Sequence, residues 1–410
     1  MKNILVVPDS LWGNDSGNRS TKFLLKTLAS YGLNVSVFAD NQNYNSGSSN
    51  FLKKNNINLC VRNPYRVRNQ IFSYFENRNF NNALNKSKAD CVLYFGTIVN
   101  KPSTKILIKN KIPYYYLPLT TEYYCLKDWA ALEDGPCFKC IKGNYINAYK
   151  NDCIIDRGGH EALGVNKFLL FVKKAFERTI SRKKILNADR VIAYSDSQLE
   201  VLELFGADIN KSRKTPIFFD PSQLEKINTS DENYFVVIGQ PTVAKGWHLI
   251  PEIIKKTKGA KFKLIIYRKH FADLFVKKYK LQPLIDEGVI EIISKLEEHE
   301  DVLEVISKSR GVIVSSIYPT TGEFALLESM GLSKPVLVFN SGIHKDIFTD
   351  RDNALISDIG DTQKFANDIM ELNVNDLLWS RLSAGSLKAY NKLVNFDDFE
   401  ESIKQIFKKT

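Results

Sequence analysis

The sequence predicts an α/β protein built from two doubly wound parallel-sheet domains. Three observations predict it. The chain has 410 residues, more than one core of ordinary size accommodates. Short apolar runs rich in Val, Ile and Tyr alternate with segments of helical period along most of its length. Near residue 220 prolines and polar residues divide that alternation into two strand–helix series.

The first series opens with NILVVPD (Asn3–Asp9), a strand with a polar stop. RSTKFLLKTLASYG follows as an amphipathic helix closed by Gly32, and NVSVFAD is the next strand. INLCV, DCVLYFG and IPYYYLPL continue the set. Strands separated by helices imply right-handed crossovers and a parallel sheet. Residues 120–165 interrupt the pattern with a cysteine-bearing insertion. A helix over Asn166–Leu186 then leads into DRVIAYS. KTPIFFDPSQLEKINTS reads as the linker. YFVVIGQ, KFKLIIY, VIEII, GVIVSS and KPVLVF are the strands of the second series, and helical segments from about Thr362 to Lys408 close the chain. The domains expected are 1–220, 221–390, and a terminal helix at 391–410 packing back on the first. Ligands of open parallel sheets bind beyond the carboxyl ends of the strands, so the two domains should face each other across a cleft.

A hydrophobic fraction of 44% with 25% charged residues supports globular cores. No apolar run approaches the roughly 20 residues of a spanning helix, and MKNILVVPDS reads as a first strand, not a signal peptide. A cytoplasmic chain is expected, either free or at the inner face of a membrane. The net charge of +11 fits a phosphorylated substrate or an anionic surface, or is compositional bias; no nucleic-acid module is present and no nucleic-acid partner is expected.

The helix Asn166–Leu186 carries Leu169, Val172, Phe176 and Ile180 on one stripe, with Lys173, Lys174, Arg178, Arg182, Lys183 and Lys184 around it. The expectation is that the stripe packs on its own sheet and the basic face is solvated; the alternative is docking on anionic lipid headgroups. Of six cysteines, Cys60 and Cys91 sit in strand-like settings as small hydrophobes. Cys125, Cys137, Cys140 and Cys153 are spaced C-x11-C-x2-C-x12-C. This reads as a structural zinc site, as a redox or iron–sulfur centre, or as unliganded loop thiols. Apart from His160 no histidine is near, so no hydrolytic metal centre and no catalytic cofactor are expected.

The second series holds the chemistry. In VIGQPTVAKGWHLIPEII, a strand ends in Gly239 and a loop carries Lys245 and Gly246 into a helix, a shape suited to a diphosphate although it is not a P-loop. In YPTTGEFALLESMG, Glu323 opens a helix and Glu328 lies among Leu326, Leu327 and Met330. A buried carboxylate needs a partner, and one like Glu328 can accept from vicinal hydroxyls. In the first series, PDSLWGNDSGNRS supplies Gly13 and Gly17 for close approach to a ligand, with Ser16 or Asn18 as the helix cap.

Taken together, GQPTVAKG, TTGEFALLE and SMGLSKPVLVF resemble the GT-B glycosyltransferases, specifically the retaining family four (glycosyl transferases group 1), and NADRVIAYSDSQLEVL resembles its last N-domain strand. The resemblance spans nearly the whole chain in order. It implies two Rossmann-like domains and transfer of a hexose, with retention, from a nucleotide sugar (UDP- or GDP-linked) to a polysaccharide or lipid-linked saccharide of the cell envelope. A nucleotide-sugar epimerase, a non-catalytic binding protein and a zinc- or redox-gated protein are the rival classes. By the resemblance, Lys245 neutralises the donor diphosphate, Glu328 binds the ribose, and backbone N–H groups near Thr321 and Gly322 join the cradle at Gly239. Gln240 stands where the family has Arg, so Arg268 is the candidate substitute cation. Thr320 stands where the sugar-contacting Glu is expected, which leaves that role to Glu323. Glu122, in Thr120-Thr121-Glu122, is the acidic candidate on the acceptor side.

Overall fold

The computed structural model describes residues 2–9, 11–13, 15–40, 46–62, 70–99, 101–154, 167–296 and 298–407. His160, Ser10, Asn14 and Asn166, which entered the sequence reading, lie outside them. The chain forms two compact units. One comprises residues 1–128, 139–220 and 395–410; the other comprises 129–138 and 221–394.

The first unit is built on a seven-stranded sheet. Its strands are β1 (Asn3–Val7), β2 (Asn34–Ala39), β3 (Asn58–Val61), β4 (Cys91–Phe95) and β5 (Tyr114–Leu117), then β8 (Arg190–Ala193) and β9 (Ser212–Lys214), in the order β3-β2-β1-β4-β5-β8-β9. All its pairings are parallel, with Ile4 opposite both Val35 and Cys91. Residues of β4 and β5 are buried throughout, as a sheet covered on both faces requires. The short β9 was not legible as a strand. The terminal helix Phe396–Phe407 belongs to this unit: Phe399 packs edge-on against Phe23, and Phe407 meets Tyr115 at 5.6 Å between ring centres.

The first helix runs Ser16–Ser30, and its N-cap is Asp15, whose carboxylate accepts from the Asn18 N–H at 3.0 Å. Neither Ser16 nor Asn18 is the cap. Aspartate immediately before the first turn meets the unpaired N–H groups more directly than either. A Cβ at Gly13 would fall 2.7 Å from Asn18 Nδ2, whereas Gly17 is constrained only by the Asp15 carboxylate at 3.3 Å.

The Lys167–Leu186 helix reverses the expected orientation. Phe168, Leu169, Val172, Phe176 and Ile180 are exposed, Leu169 at 63% and Phe176 at 62%. The inward face carries the cations. Lys174 donates to the Leu126 carbonyl, Arg178 to the Cys125 carbonyl and to Asp128 (2.7 Å), and Arg182 to the Ile141 and Phe205 carbonyls. Lys184 donates to the carbonyl of Lys101. These carbonyls lie outside the sheet ladders and require donors, while Phe171 and Ala175 of the same helix pack against Leu126, Cys140 and Tyr145.

The second unit carries a six-stranded parallel sheet of β10 (Phe235–Ile238), β11 (Phe262–Ile265), β12 (Ile290–Ile293), β13 (Gly311–Val314), β14 (Val336–Phe339) and β15 (Leu355–Ser357), ordered β12-β11-β10-β13-β14-β15. The chain direction across the sheet switches between β10 and β13. Within this unit a two-stranded hairpin, β6 (Ala131–Leu132) with β7 (Gly135–Pro136), contributes Ala131 to the core of Trp247, Phe262 and Phe339. The sequence showed only an insertion there.

Candidate active site

Open parallel sheets place ligand sites at the carboxyl ends of the strands flanking the switch. In the second unit these are the loops after β10 and β13, which hold the Lys245 and Glu323 segments. The two loops are tied together. The Ile317 N–H donates to the Ala244 carbonyl at 2.9 Å, and Ser315 Oγ donates to the Lys245 carbonyl at 2.7 Å. Gly246 makes this possible. Its φ of +68° lies in the left-handed region, and a Cβ there would sit 1.8 Å from the Ser315 carbonyl oxygen. The glycine of the Lys-Gly pair therefore fixes where the lysine points.

Lys245 Nζ lies 2.9 Å from Glu323 Oε1. It also lies 5.2 Å from the centre of the Tyr318 ring and 5.7 Å from that of Trp129, two rings stacked on each other. Burial alone would lower the lysine pKa, but Glu323 and Tyr318 outweigh it, and the ammonium is held above the ordinary lysine range. Burial would likewise raise Glu323, yet Lys245 holds the carboxyl below its usual range. The pair is ionised at neutral pH. Trp129 comes from outside the second strand series, and no sequence motif pointed to it.

Glu323 is the N-cap of the helix Phe324–Gly331, but its side chain makes no capping bond because it is committed to Lys245. Ser316 lies against Glu323 and Thr320 against Tyr318, while His344 Nε2 is buried without a hydrogen-bond partner. His344 Nδ1 lies 2.9 Å from the Phe339 carbonyl. That contact assigns the proton to Nδ1 and leaves Nε2 as an acceptor. Burial is the main cause of the lowered His344 pKa, so the ring is neutral. His344 is fully buried and went unnoticed in the sequence, where no spacing links it to Lys245. Gly342 allows its loop to close on Thr320, since a Cβ there would meet the Thr320 nitrogen at 2.4 Å.

Glu328 is buried one helical turn further on, and His299 Nε2 lies 2.9 Å from its Oε1. The required partner is thus a histidine in the first turn of the His299–Ser307 helix. Thr321 is buried, and Gly322 has a φ of +154° at the turn into the helix. Gly239, φ +136°, follows β10 beside the Trp247 indole.

Gln240 and Arg268 are both exposed, and the Arg268 guanidinium lies over the Phe271 ring instead of joining the Lys245 pair. In the first unit, the loop after β1 is anchored by Asp9, which accepts from the Thr97 N–H and pairs with buried Lys101 at 3.0 Å. Glu122 sits in a short 3-10 turn, 3.9 Å from the Arg178 guanidinium.

All four clustered cysteines are free thiols. Cys140 and Cys153 pack with Leu126, Tyr145 and Ala148, and burial pushes the Cys125 thiol up to about 12. Among the described residues no group of three or more His, Cys, Asp or Glu is placed to hold a metal ion.

Residues 220–385 match the family model of Glycosyl transferases group 1. No curated protein matches the chain in sequence. Among solved structures, sucrose-phosphate synthase from Thermosynechococcus elongatus is similar at 13% identity and a TM-score of 0.68, over 99% of this chain and 98% of that one. Anabaena HepE, solved in complex with UDP-glucose, is similar at 11% identity and a TM-score of 0.62, over 98% of both chains. WaaG, a glycosyltransferase involved in lipopolysaccharide biosynthesis, is similar at 10% identity and a TM-score of 0.61, over 99% of this chain and 100% of that one. The chain has the GT-B fold of these structures, and its match to glycosyl transferases group 1 is confined to residues 220–385.

Proposed function

We propose that this glycosyltransferase takes its sugar from a UDP- or GDP-linked donor bound at the Lys245–Glu323 pair and passes it, with retention, to a saccharide or lipid-linked saccharide of the cell envelope. The observation that carries the reading is the buried Lys245–Glu323 pair at the carboxyl ends of β10 and β13, with His344 Nε2 buried beside it without a hydrogen-bond partner. Burying a polar atom without a partner costs about 1–3 kcal/mol. A ligand hydroxyl donating to His344 Nε2 would satisfy it.

In this reading Lys245 turns from Glu323 toward the diphosphate. Its ammonium and the backbone N–H groups at Gly322 then stabilise the negative charge that develops as the anomeric C–O bond breaks. The acceptor hydroxyl attacks from the same face, and its proton passes to the departing phosphate oxygen. Glu323, released from Lys245, is free to accept from a sugar hydroxyl, the role left open where Thr320 replaces an acid. Glu328, oriented by His299, accepts from the ribose hydroxyls. HepE was solved with UDP-glucose, which supports a uridine donor, and the role of WaaG in lipopolysaccharide biosynthesis supports an envelope acceptor met at a membrane.

The test is thermal stability of the protein with UDP-, GDP-, ADP- and TDP-sugars, repeated on Lys245→Ala and Glu328→Ala. A ligand that binds only the folded chain raises Tm by mass action. One nucleotide family should raise it, and both variants should lose the shift. If no nucleotide sugar shifts the wild type at millimolar concentration, the donor-site assignment fails.

A further inference from the structure

We infer that the exposed face of the Lys167–Leu186 helix is a docking surface for an anionic membrane. The inference rests on the membrane-peripheral part of the reading above and not on the donor site.

The helix is inverted with respect to a soluble amphipathic helix. At 100° per residue, Phe168, Leu169, Val172, Phe176, Ile180 and Leu186 fall within one arc, and all six are exposed, between 39% and 63%. A stripe of large apolar groups along a helix of 20 residues, about 30 Å of rise, exceeds the scattered exposure normal for a monomer. The adjoining helix Ile146–Lys150 extends it: Ile146 is 46% exposed, and Tyr149 meets Phe168 edge-on at 6.4 Å.

The charges bordering the stripe select the occupant. Lys183 lies within the exposed arc and Lys173 at its edge, and Lys150 and Lys167 are exposed where the two helices meet, Lys167 being paired with the exposed Asp152. The single acid of the helix, Glu177, is only partly exposed and faces Lys173 at 4.0 Å. The remaining cations of the helix are turned inward onto loop carbonyls and Asp128. An apolar strip edged by lysines suits the boundary between acyl chains and anionic headgroups, where lysine stems lie along the apolar surface and the ammonium reaches the phosphate. A second copy of the chain would bring one set of these lysines against another, which disfavours self-association through this face.

The experiment is co-sedimentation with vesicles of phosphatidylcholine alone and with about one third phosphatidylglycerol. It compares wild type, the double substitution Leu169→Glu with Phe176→Glu, and the double substitution Lys173→Glu with Lys183→Glu. The expected result is binding to the anionic vesicles, weak binding to the neutral ones, and a loss of about ten-fold or more in both variants. Both substitutions are on solvent-facing residues, and the nucleotide-sugar shift in Tm, which should be unchanged, reports that the variants are folded. Absence of vesicle binding overturns the inference. So does binding that the Leu169/Phe176 variant retains, since charge alone would then explain it. A dimer seen by light scattering that the same variant dissolves, without vesicle binding, assigns the face to a second copy and also overturns it. In each of these outcomes an intact donor shift shows that the donor site stands although the docking surface fails.

Discussion

Two helices of this molecule bury charged side chains for different reasons. In Phe324–Gly331 the buried charge is carboxylate. Glu323 at the cap meets the Lys245 ammonium and Glu328 meets His299, while Leu326, Leu327 and Met330 fill the space between the strands. In Lys167–Leu186 the buried charge is cationic, and its partners are mostly main-chain carbonyls at 98, 101, 125, 126, 141 and 205. The first helix packs on a sheet whose backbone is already paired, so only specific side chains can receive its acids. The second packs on loops whose carbonyls lack ladder partners, so long cations are the groups that the surface requires. What a helix turns inward is decided by the layer beneath it, and hydrophobic periodicity alone does not determine which face that is.

The largest expected effect comes from separating the buried pair. Lys245→Ala leaves Glu323, 7% exposed, without its cation, and should cost about 3–5 kcal/mol in denaturant unfolding. Lys245→Ala combined with Glu323→Gln should cost clearly less than Lys245→Ala alone. The pH dependence has a definite sign. Glu323 is depressed, so its contribution is complete above the ordinary carboxyl pKa and lost as pH falls through the lower folded value. Lys245 is raised, so its contribution is complete below the ordinary lysine pKa and lost as pH rises through the higher folded value. The stability difference between wild type and Glu323→Gln should therefore be flat from about pH 5 to pH 10 and shrink outside that window.

Gly246→Ala follows in size. It asks alanine to hold a left-handed φ and puts a methyl into the Ser315 carbonyl. Roughly 2–3 kcal/mol should be lost, together with the donor-induced shift in Tm, because the loop carrying Lys245 must move. Retention of that shift would separate the loop clamp from donor binding. Next comes Arg178→Ala on the inverted helix, which removes the bonds to the Cys125 carbonyl and Asp128. About 2 kcal/mol should be lost, although the same substitution on a solvated basic face would be silent.

The strands were legible because fully buried parallel strands are unbroken apolar runs, and VLYF or VLVF between polar stops has no competing reading. Lys245 taken alone read as a surface lysine and was singled out only by the resemblance that GQPTVAKG carries, whereas the need of Glu328 for a partner followed from Leu326, Leu327 and Met330 around it. The partner itself was not legible. His299 lies in a separate helix and Trp129 precedes the second strand series altogether, so tertiary placement alone brings them to the site. His344 presents the same difficulty. The strand β9, three residues ending in Arg213 and Lys214, has no apolar run to read, and the capping Asp15 competed with two equally plausible neighbours. The inverted helix was misread because its stripe was correctly periodic while the carbonyls beneath it left no signal in its own sequence.

The smallest expected effect is the most discriminating. Phe176→Ser on a helix that packed its stripe inward would lose about 3–5 kcal/mol, as large-to-small core substitutions do. Here Phe176 is 62% exposed, so unfolding in urea should change by less than about 0.5 kcal/mol, and the slope of the transition should not change. Leu326→Ala in the other helix, at 1% exposure, should cost about 2–5 kcal/mol in the same assay. Both helices would then have been tested with the same kind of substitution, and the ratio of the two losses measures how completely each orients its apolar face. A loss at Phe176 comparable with that at Leu326 would mean that the stripe is covered in solution, and the cations assigned to the inner face would then have to be solvated.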